Sequence, residues 1–247
     1  MPGKLIVLSD IHANLSALQA VTNDFRRRYR PDGLVLLGDL VNYGMRPNEV
    51  IGEIARLGDE YPIVCNLWGN HEAALVEGGL ERFATDRGRE VLRYTRSILT
   101  PESRRYIERE MDTPSRAEAT IAGRNVLMVH GDIDDPRWGK LTADRTGDER
   151  YAPYDYVLAG HTHIPLHAEQ LFRHDDPAMR NRKRTVFLNP GSVGQPRNHN
   201  PRAQYLYLDL LTGEAHHNAV AYDIGAEQAL YDGTVADFYR ERLGKGI

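Results

Sequence analysis

Five short polar stretches in this 247-residue chain have the residue types of a metal site: Asp10-Ile11-His12, Gly38-Asp39, Gly69-Asn70-His71-Glu72, His130-Gly131-Asp132 and Gly160-His161-Thr162-His163. Each closes an apolar run. Hard or borderline divalent ions prefer carboxylate oxygen, imidazole nitrogen and carbonyl oxygen. Asp10, His12, Asp39, Asn70, His130, His161 and His163 offer those atoms. Seven donors exceed what one tetrahedral ion takes and suit two ions sharing a carboxylate. Two ions about 3.5–4 Å apart can clamp a phosphoryl group and activate a water, making it acidic enough to be hydroxide near neutral pH. Taken singly the motifs are weak: Asp-x-His at a strand end usually caps a helix, and Gly-Asp is an ordinary turn. Gly-His-x-His is stronger, because alternate residues of an extended segment face opposite ways and need a bend to share a site. Five of the chain's ten histidines fall in these motifs. The others, His167, His174, His199, His216 and His217, read as surface residues.

The elements that must position these groups alternate. Lys4 to Ser9 is a β-rich run, followed by helical spacing of Leu15, Leu18, Val21, Thr22 and Phe25, with Asn14 placed as its cap. Leu34 to Leu37 is a second strand. Pro47 opens a second helix bearing Val50, Ile51, Ile54 and Leu57, and Ile63 to Leu67 is a third strand. This β-α-β-α-β order predicts parallel strands with right-handed crossovers, whose carboxyl ends gather reacting groups. Residues 73–115 read as a helical insertion near the site, in a single domain spanning 1–247. Gly123 to Val129 and Tyr156 to Ala159 are further strands, and 133–153 is a long loop near the site containing Trp138. Thr185 to Leu188 leads into the Asn-Pro-Gly-Ser-Val-Gly-Gln-Pro-Arg run at 189–197. Gln204 to Leu210 and His216 to Tyr222 form a hairpin, and a helix is expected over about Ala226 to Leu243.

Composition narrows the field. The chain is 41% hydrophobic and 27% charged, near the soluble globular average. A net charge of -4 argues against long nucleic acid as a partner. The lone Cys65 excludes an internal disulfide and a multi-thiolate zinc site, and its apolar surroundings make it a core thiol. No apolar run is long enough to span a bilayer and no cleavable signal is visible, so the cytoplasm is the expected compartment.

The full ordered set, Asp10 to His163 with Asn189 to Arg197 beyond it, resembles the calcineurin-like metallophosphoesterase superfamily. The stretches from Asp10 to Leu18 and from Asn189 to Arg197 are similar to its compact bacterial and archaeal YfcE-like phosphoesterases. The resemblance implies a four-layer α-β-β-α sandwich. It implies one ion held by Asp10, His12, Asp39 and His163, and a second held by Asp39 as bridge, Asn70, His130 and His161. Manganese is the expected metal, with Fe, Zn, Co or Ni also compatible. His71 would then be no ligand but the general acid that protonates the leaving oxygen, with Asn70 helping to hold the phosphoryl oxygens and a bridging hydroxide as nucleophile. The expected substrate is a small soluble phosphodiester or phosphomonoester. The related protein Ser/Thr phosphatases follow their Gly-Asp with an Asp that orients the His and an Arg that grips the phosphate. Here Asn42 and Tyr43 stand at those offsets. Loss of a bidentate Arg weakens monoester recognition and favours diesters. Arg46, Arg137 and Arg197 are candidate replacements for it, and Asn14 and Ser192 are candidate supports of the ligands or substrate. Two alternatives remain: a protein phosphatase, which the Asn42-Tyr43 pair disfavours, and a non-catalytic metal-binding scaffold, which the presence of His71 disfavours.

Overall fold

The computed structural model describes residues 3–247. Its strands and helices follow in chain order: β1 (Lys4–Leu8), α1 (Leu15–Arg28), β2 (Gly33–Leu36), α2 (Pro47–Glu60), β3 (Ile63–Asn66), α3 (Asn70–Val76), α4 (Asp86–Ile98), α5 (Pro101–Arg109), β4 (Arg116–Ile121), β5 (Arg124–Val129), β6 (Tyr156–Ala159), β7 (Leu166–Arg173), β8 (Arg182–Asn189), β9 (Ala203–Asp209), β10 (Glu214–Val220), α6 (Ile224–Gln228) and α7 (Asp237–Lys245).

Two five-stranded sheets form, ordered β10-β9-β1-β2-β3 and β4-β5-β6-β8-β7. Within the first, β1, β2 and β3 run parallel and β9 is antiparallel to β1. Within the second, β5, β6 and β8 run parallel between two antiparallel edges. The sheets pack face to face, and alternation along the strands decides which residue goes where. Leu5 and Val7 of β1 join Val35, Met128, Leu158, Leu188 and Leu206 in the inter-sheet core. Ile6 and Leu8 face the other way, onto Leu18, Val21, Phe25, Val50 and Ile54 of α1 and α2. Leu141, Tyr151 and Tyr154 cover the outer face of the second sheet. This layering matches the metallophosphoesterase sandwich.

Helix starts follow local chemistry. The Asn14 side chain accepts from the Ala17 N–H, and prolines open α2 and α5, where a missing N–H costs nothing. The expected C-terminal helix is corrected to two. Ile224–Gln228 and Asp237–Lys245 are separated by a turn with Gly233 at φ 89°, a conformation that breaks helical continuity. Strands β4 and β7 lie outside the expected elements; both are sheet edges with half-exposed, polar sequences.

Candidate metal centre

All five motifs meet at the carboxyl ends of β1, β2, β3, β5 and β6. The chain turns sharply after these strands, and the turns are left-handed at non-glycine residues: Asp10 at φ 54°, His12 at 49°, Asp39 at 56°, Asn42 at 72°, Tyr43 at 66°, His161 at 63° and His163 at 59°. Such conformations cost energy and concentrate at functional sites. The bend needed by Gly-His-x-His is present at both of its histidines. Gly69 has no substitute, since a Cβ there would lie 2.0 Å from Oδ1 of Asp39.

The potential ligand atoms form three overlapping groups: Asp10, His12 and His163; His12, Asp39 and His71; and Asp39, His130 and His161. Nε2 of His163 lies 3.1 Å from Oδ1 of Asp10 and 3.2 Å from Nε2 of His12. Nε2 of His130 lies 3.3 Å from Oδ2 of Asp39, 3.1 Å from Oδ1 of Asn70 and 3.2 Å from Nδ1 of His161. Oδ2 of Asp39 is also 3.7 Å from Nε2 of His12, so one carboxylate faces both His130 and His12. Oδ1 of Asp10 is buried without a hydrogen-bond partner. A bare carboxylate oxygen and converging imidazole lone pairs, with donors of mixed N and O type, fit divalent metal. The ring orientations are fixed from behind. Nδ1 of His12, His130 and His163 donates to the carbonyls of Val41 (3.1 Å), Leu37 (2.7 Å) and Gln195 (2.6 Å), which turns each Nε2 lone pair inward.

Electrostatics follow from burial and from Asp39. Burial, reinforced by neighbouring histidines, holds His12 well below the usual imidazole range and pushes His161 down to about 3. His163 is also well below that range, through burial and then Arg197. His130 is buried too, but the Asp39 carboxylate outweighs that and raises it to about 9 without metal. Asp39 is held well below the carboxylate range despite burial, chiefly by His130 and His71.

His71 points into the same space: its Nε2 is 3.8 Å from Oδ2 of Asp39, and with His12 and Asp39 it makes a third group close enough to hold an ion. Burial pushes it down to about 4. Its ring stands edge-on between Tyr43 (4.5 Å between centroids) and Phe83 (5.2 Å). These groups open onto a cavity of about 680 Å³, lined also by Trp138, Lys140, Ile164, Arg197 and Tyr239.

Four of the five residues expected to contact substrate are engaged with other groups in this structure. Arg46 is bound to the buried carboxylate of Glu227 and to the Ser16 hydroxyl. Arg137 pairs with Glu77. Asn14 is buried and donates to the Gly194 carbonyl and the Tyr222 hydroxyl. Ser192 donates its hydroxyl to the Asp10 carbonyl, 2.7 Å away. Asn14 and Ser192 therefore brace the Asp10 turn. Arg197 alone of the five lines the cavity, and its Nε is buried without a partner. Among the described residues, the remaining five histidines make no metal group, and Cys65 is a buried free thiol.

Sequence reasoning missed three contributors. Glu72 accepts from the N–H groups of Asp39 (2.9 Å), Val41 (3.2 Å) and Gly69 (2.8 Å), tying two motif loops together. Burial and the Asp39 charge push its carboxyl up to about 7, against those three donors. Ser9 donates to Oδ2 of Asp10 at 2.6 Å. Tyr239 of α7 stacks on Tyr43 at 4.8 Å; nothing in its local sequence marks it.

Comparison with known proteins agrees with this geometry. The family model described as "Calcineurin-like phosphoesterase superfamily domain" matches residues 4–213. The chain therefore belongs to the calcineurin-like phosphoesterase superfamily, whose members are generally metal-dependent phosphoesterases. It is similar to an uncharacterized protein of Methanocaldococcus jannaschii, 29% identical across 98% of this chain and 96% of that one. Among solved structures it is similar to a metallophosphoesterase from Sphaerobacter thermophilus, 29% identical over the whole of both chains with a TM-score of 0.75. A hypothetical protein of Pyrococcus horikoshii shares the fold at a TM-score of 0.80, with 21% identity over 99% of this chain and 98% of that one. Among the described residues, no helix is long and apolar enough to cross a membrane.

Proposed function

We propose that this protein is a binuclear metal-dependent phosphoesterase that hydrolyses a small phosphorylated substrate, with phosphodiesters preferred. The observation that carries the reading is the Asp39 carboxylate facing two histidine groups at once, with His71 beside it. Asp10, His12, Asp39 and His163 would hold one ion, and Asp39, Asn70, His130 and His161 the other. Manganese is the metal to try first; Fe, Zn, Co and Ni also suit mixed nitrogen and oxygen donors. The ions, when bound, supply Lewis-acid chemistry: charge neutralisation at phosphoryl oxygens and a more acidic water.

The protein's own groups do the rest. Asn70 orients a phosphoryl oxygen. His71 faces the departing oxygen. Arg197, the cavity arginine without a carboxylate partner, approaches the non-bridging oxygens. Tyr43 stands where the protein phosphatases carry their phosphate-gripping arginine, and a single arginine grip suits a diester monoanion better than a monoester dianion. Arg82, Phe83, Trp138 and Lys140 line the cavity beyond His71 and give the rest of the substrate an aromatic and cationic wall.

The test is hydrolysis of bis(p-nitrophenyl) phosphate and p-nitrophenyl phosphate with added Mn²⁺ near neutral pH. Turnover with the diester ahead is expected. A preference for the monoester would make Arg197 a dianion grip and move the phosphatase reading forward. No turnover of either would favour the scaffold reading.

A further inference from the structure

Asn42 stands where the protein phosphatases have an acid behind the catalytic histidine. Its Nδ2 lies 2.6 Å from Nδ1 of His71, and its Oδ1 accepts the Thr95 hydroxyl at 2.9 Å. All three side chains are buried. Thr95 belongs to α4, so the helical insertion reaches the site through this contact. An amide has one donating and one accepting end. With the accepting end taken by Thr95, the donating end meets the ring, and Nδ1 must meet it as a lone pair. The ring proton then sits on Nε2, the atom that faces Asp39 and the cavity. An aspartate in the same place would accept from Nδ1–H and support a doubly protonated ring. The amide, so oriented, cannot.

We propose that Asn42 and Thr95 are positioning residues that hold His71 as its Nε2–H tautomer, so that His71 serves as a hydrogen-bond donor to the departing oxygen rather than as its proton source. This rests on the phosphoesterase reading and refines the general-acid role that the family resemblance implies. When the P–O bond breaks, its electron pair leaves with the departing oxygen. That oxygen departs as an oxyanion held by Nε2–H and takes its proton from solvent, while the attacking water gives its oxygen to phosphorus and its proton to solvent. A site built this way suits esters whose departing group is a weakly basic oxyanion, such as a phenolate, over simple alkyl esters.

Two measurements test this. First, ¹⁵N-histidine spectra of the full chain without added metal, at neutral pH, with His71 assigned by its loss in His71→Ala. The expected pattern is an unprotonated Nδ1 and a protonated Nε2 in the wild type, with Nδ1 becoming protonated in Asn42→Asp. A protonated Nδ1 in the wild type overturns the proposal, whether or not the enzyme turns over any ester. Second, with Mn²⁺ bound, rates are compared across aryl and alkyl phosphodiesters of falling leaving-group acidity. Asn42→Asp should flatten the wild-type dependence, raising the weakest leaving group at least ten-fold relative to p-nitrophenolate. Thr95→Val, which frees the amide to rotate, should shift the dependence the same way by a smaller factor. An unchanged dependence in Asn42→Asp also overturns it, and no role confined to stability would change that slope.

Discussion

Oδ2 of Asp39 lies 3.3 Å from Nε2 of His130, a contact that joins the two halves of the site across the two sheets. Asp39 follows β2 of the first sheet and His130 follows β5 of the second. If the carboxylate is shared between two ions, Asp39→Ala should lose both metal and activity. Metal content by elemental analysis should drop well below two ions per chain. Full metal retention in Asp39→Ala would remove the bridge.

His71 makes a different prediction, because the proposed function places it beside the ions and gives it no ligand role. His71→Ala should lower kcat by roughly 10²–10³, the effect of losing one donor to a developing oxyanion, while metal content stays at the wild-type level. Parallel loss of metal would instead make it a ligand.

The metal-free protein should show a stability maximum near pH 6.5. His130 has a folded value of about 9, above an unfolded value near 6.5. Its contribution is fully present below pH 6.5 and is lost as the pH rises to about 9. His71 and His161, at about 4 and 3, are depressed, so the unfolded chain binds more protons below pH 6.5 and stability falls toward acid. Glu72, raised to about 7, favours the folded chain on the acid side and blunts that arm. Thermal melts of chelated protein across this range check it, and a Tm still rising from pH 6.5 to 9 would contradict the His130–Asp39 account. Metal competes with the His130 proton, so added Mn²⁺ should stabilise most at the alkaline end.

Glu72 is the structural hub of the loops. Glu72→Ala would leave the N–H groups of Asp39, Val41 and Gly69 without their acceptor, at a cost of about 3 kcal/mol or more. Gly69→Ala should strain the loop and damage the site together, because its Cβ would lie 2.0 Å from the Asp39 carboxylate oxygen and 2.6 Å from the Asp39 backbone nitrogen. Denaturant melts and metal titration of the two variants measure these effects.

Much of this site was legible in the sequence because strand ends carry it. An apolar run followed by Asp, Asn or His is readable without tertiary information, and the Gly-His-x-His spacing demanded a bend that His161 and His163 supply. What escaped depends on partners far apart in the chain. Arg46 pairs with Glu227, and Arg137 with Glu77; no local pattern shows that these arginines are already engaged. Tyr239 reaches Tyr43 only because the C-terminal segment folds back over the site, with Tyr231 donating to the Tyr43 carbonyl. The edge strand β4 does alternate, but its inward residues Ala117 and Ala119 are small, and β7 places Gln170 among its less exposed positions, so neither carries a strong apolar signal.

The most direct test of the two-metal account couples stoichiometry to chemistry. Chelated protein would be titrated with Mn²⁺, and bound metal and bis(p-nitrophenyl) phosphate hydrolysis measured in the same samples. Activity that appears as the second ion per chain binds is the predicted result. Saturation at one ion, or two bound ions with no hydrolysis of any phosphoester, would contradict it.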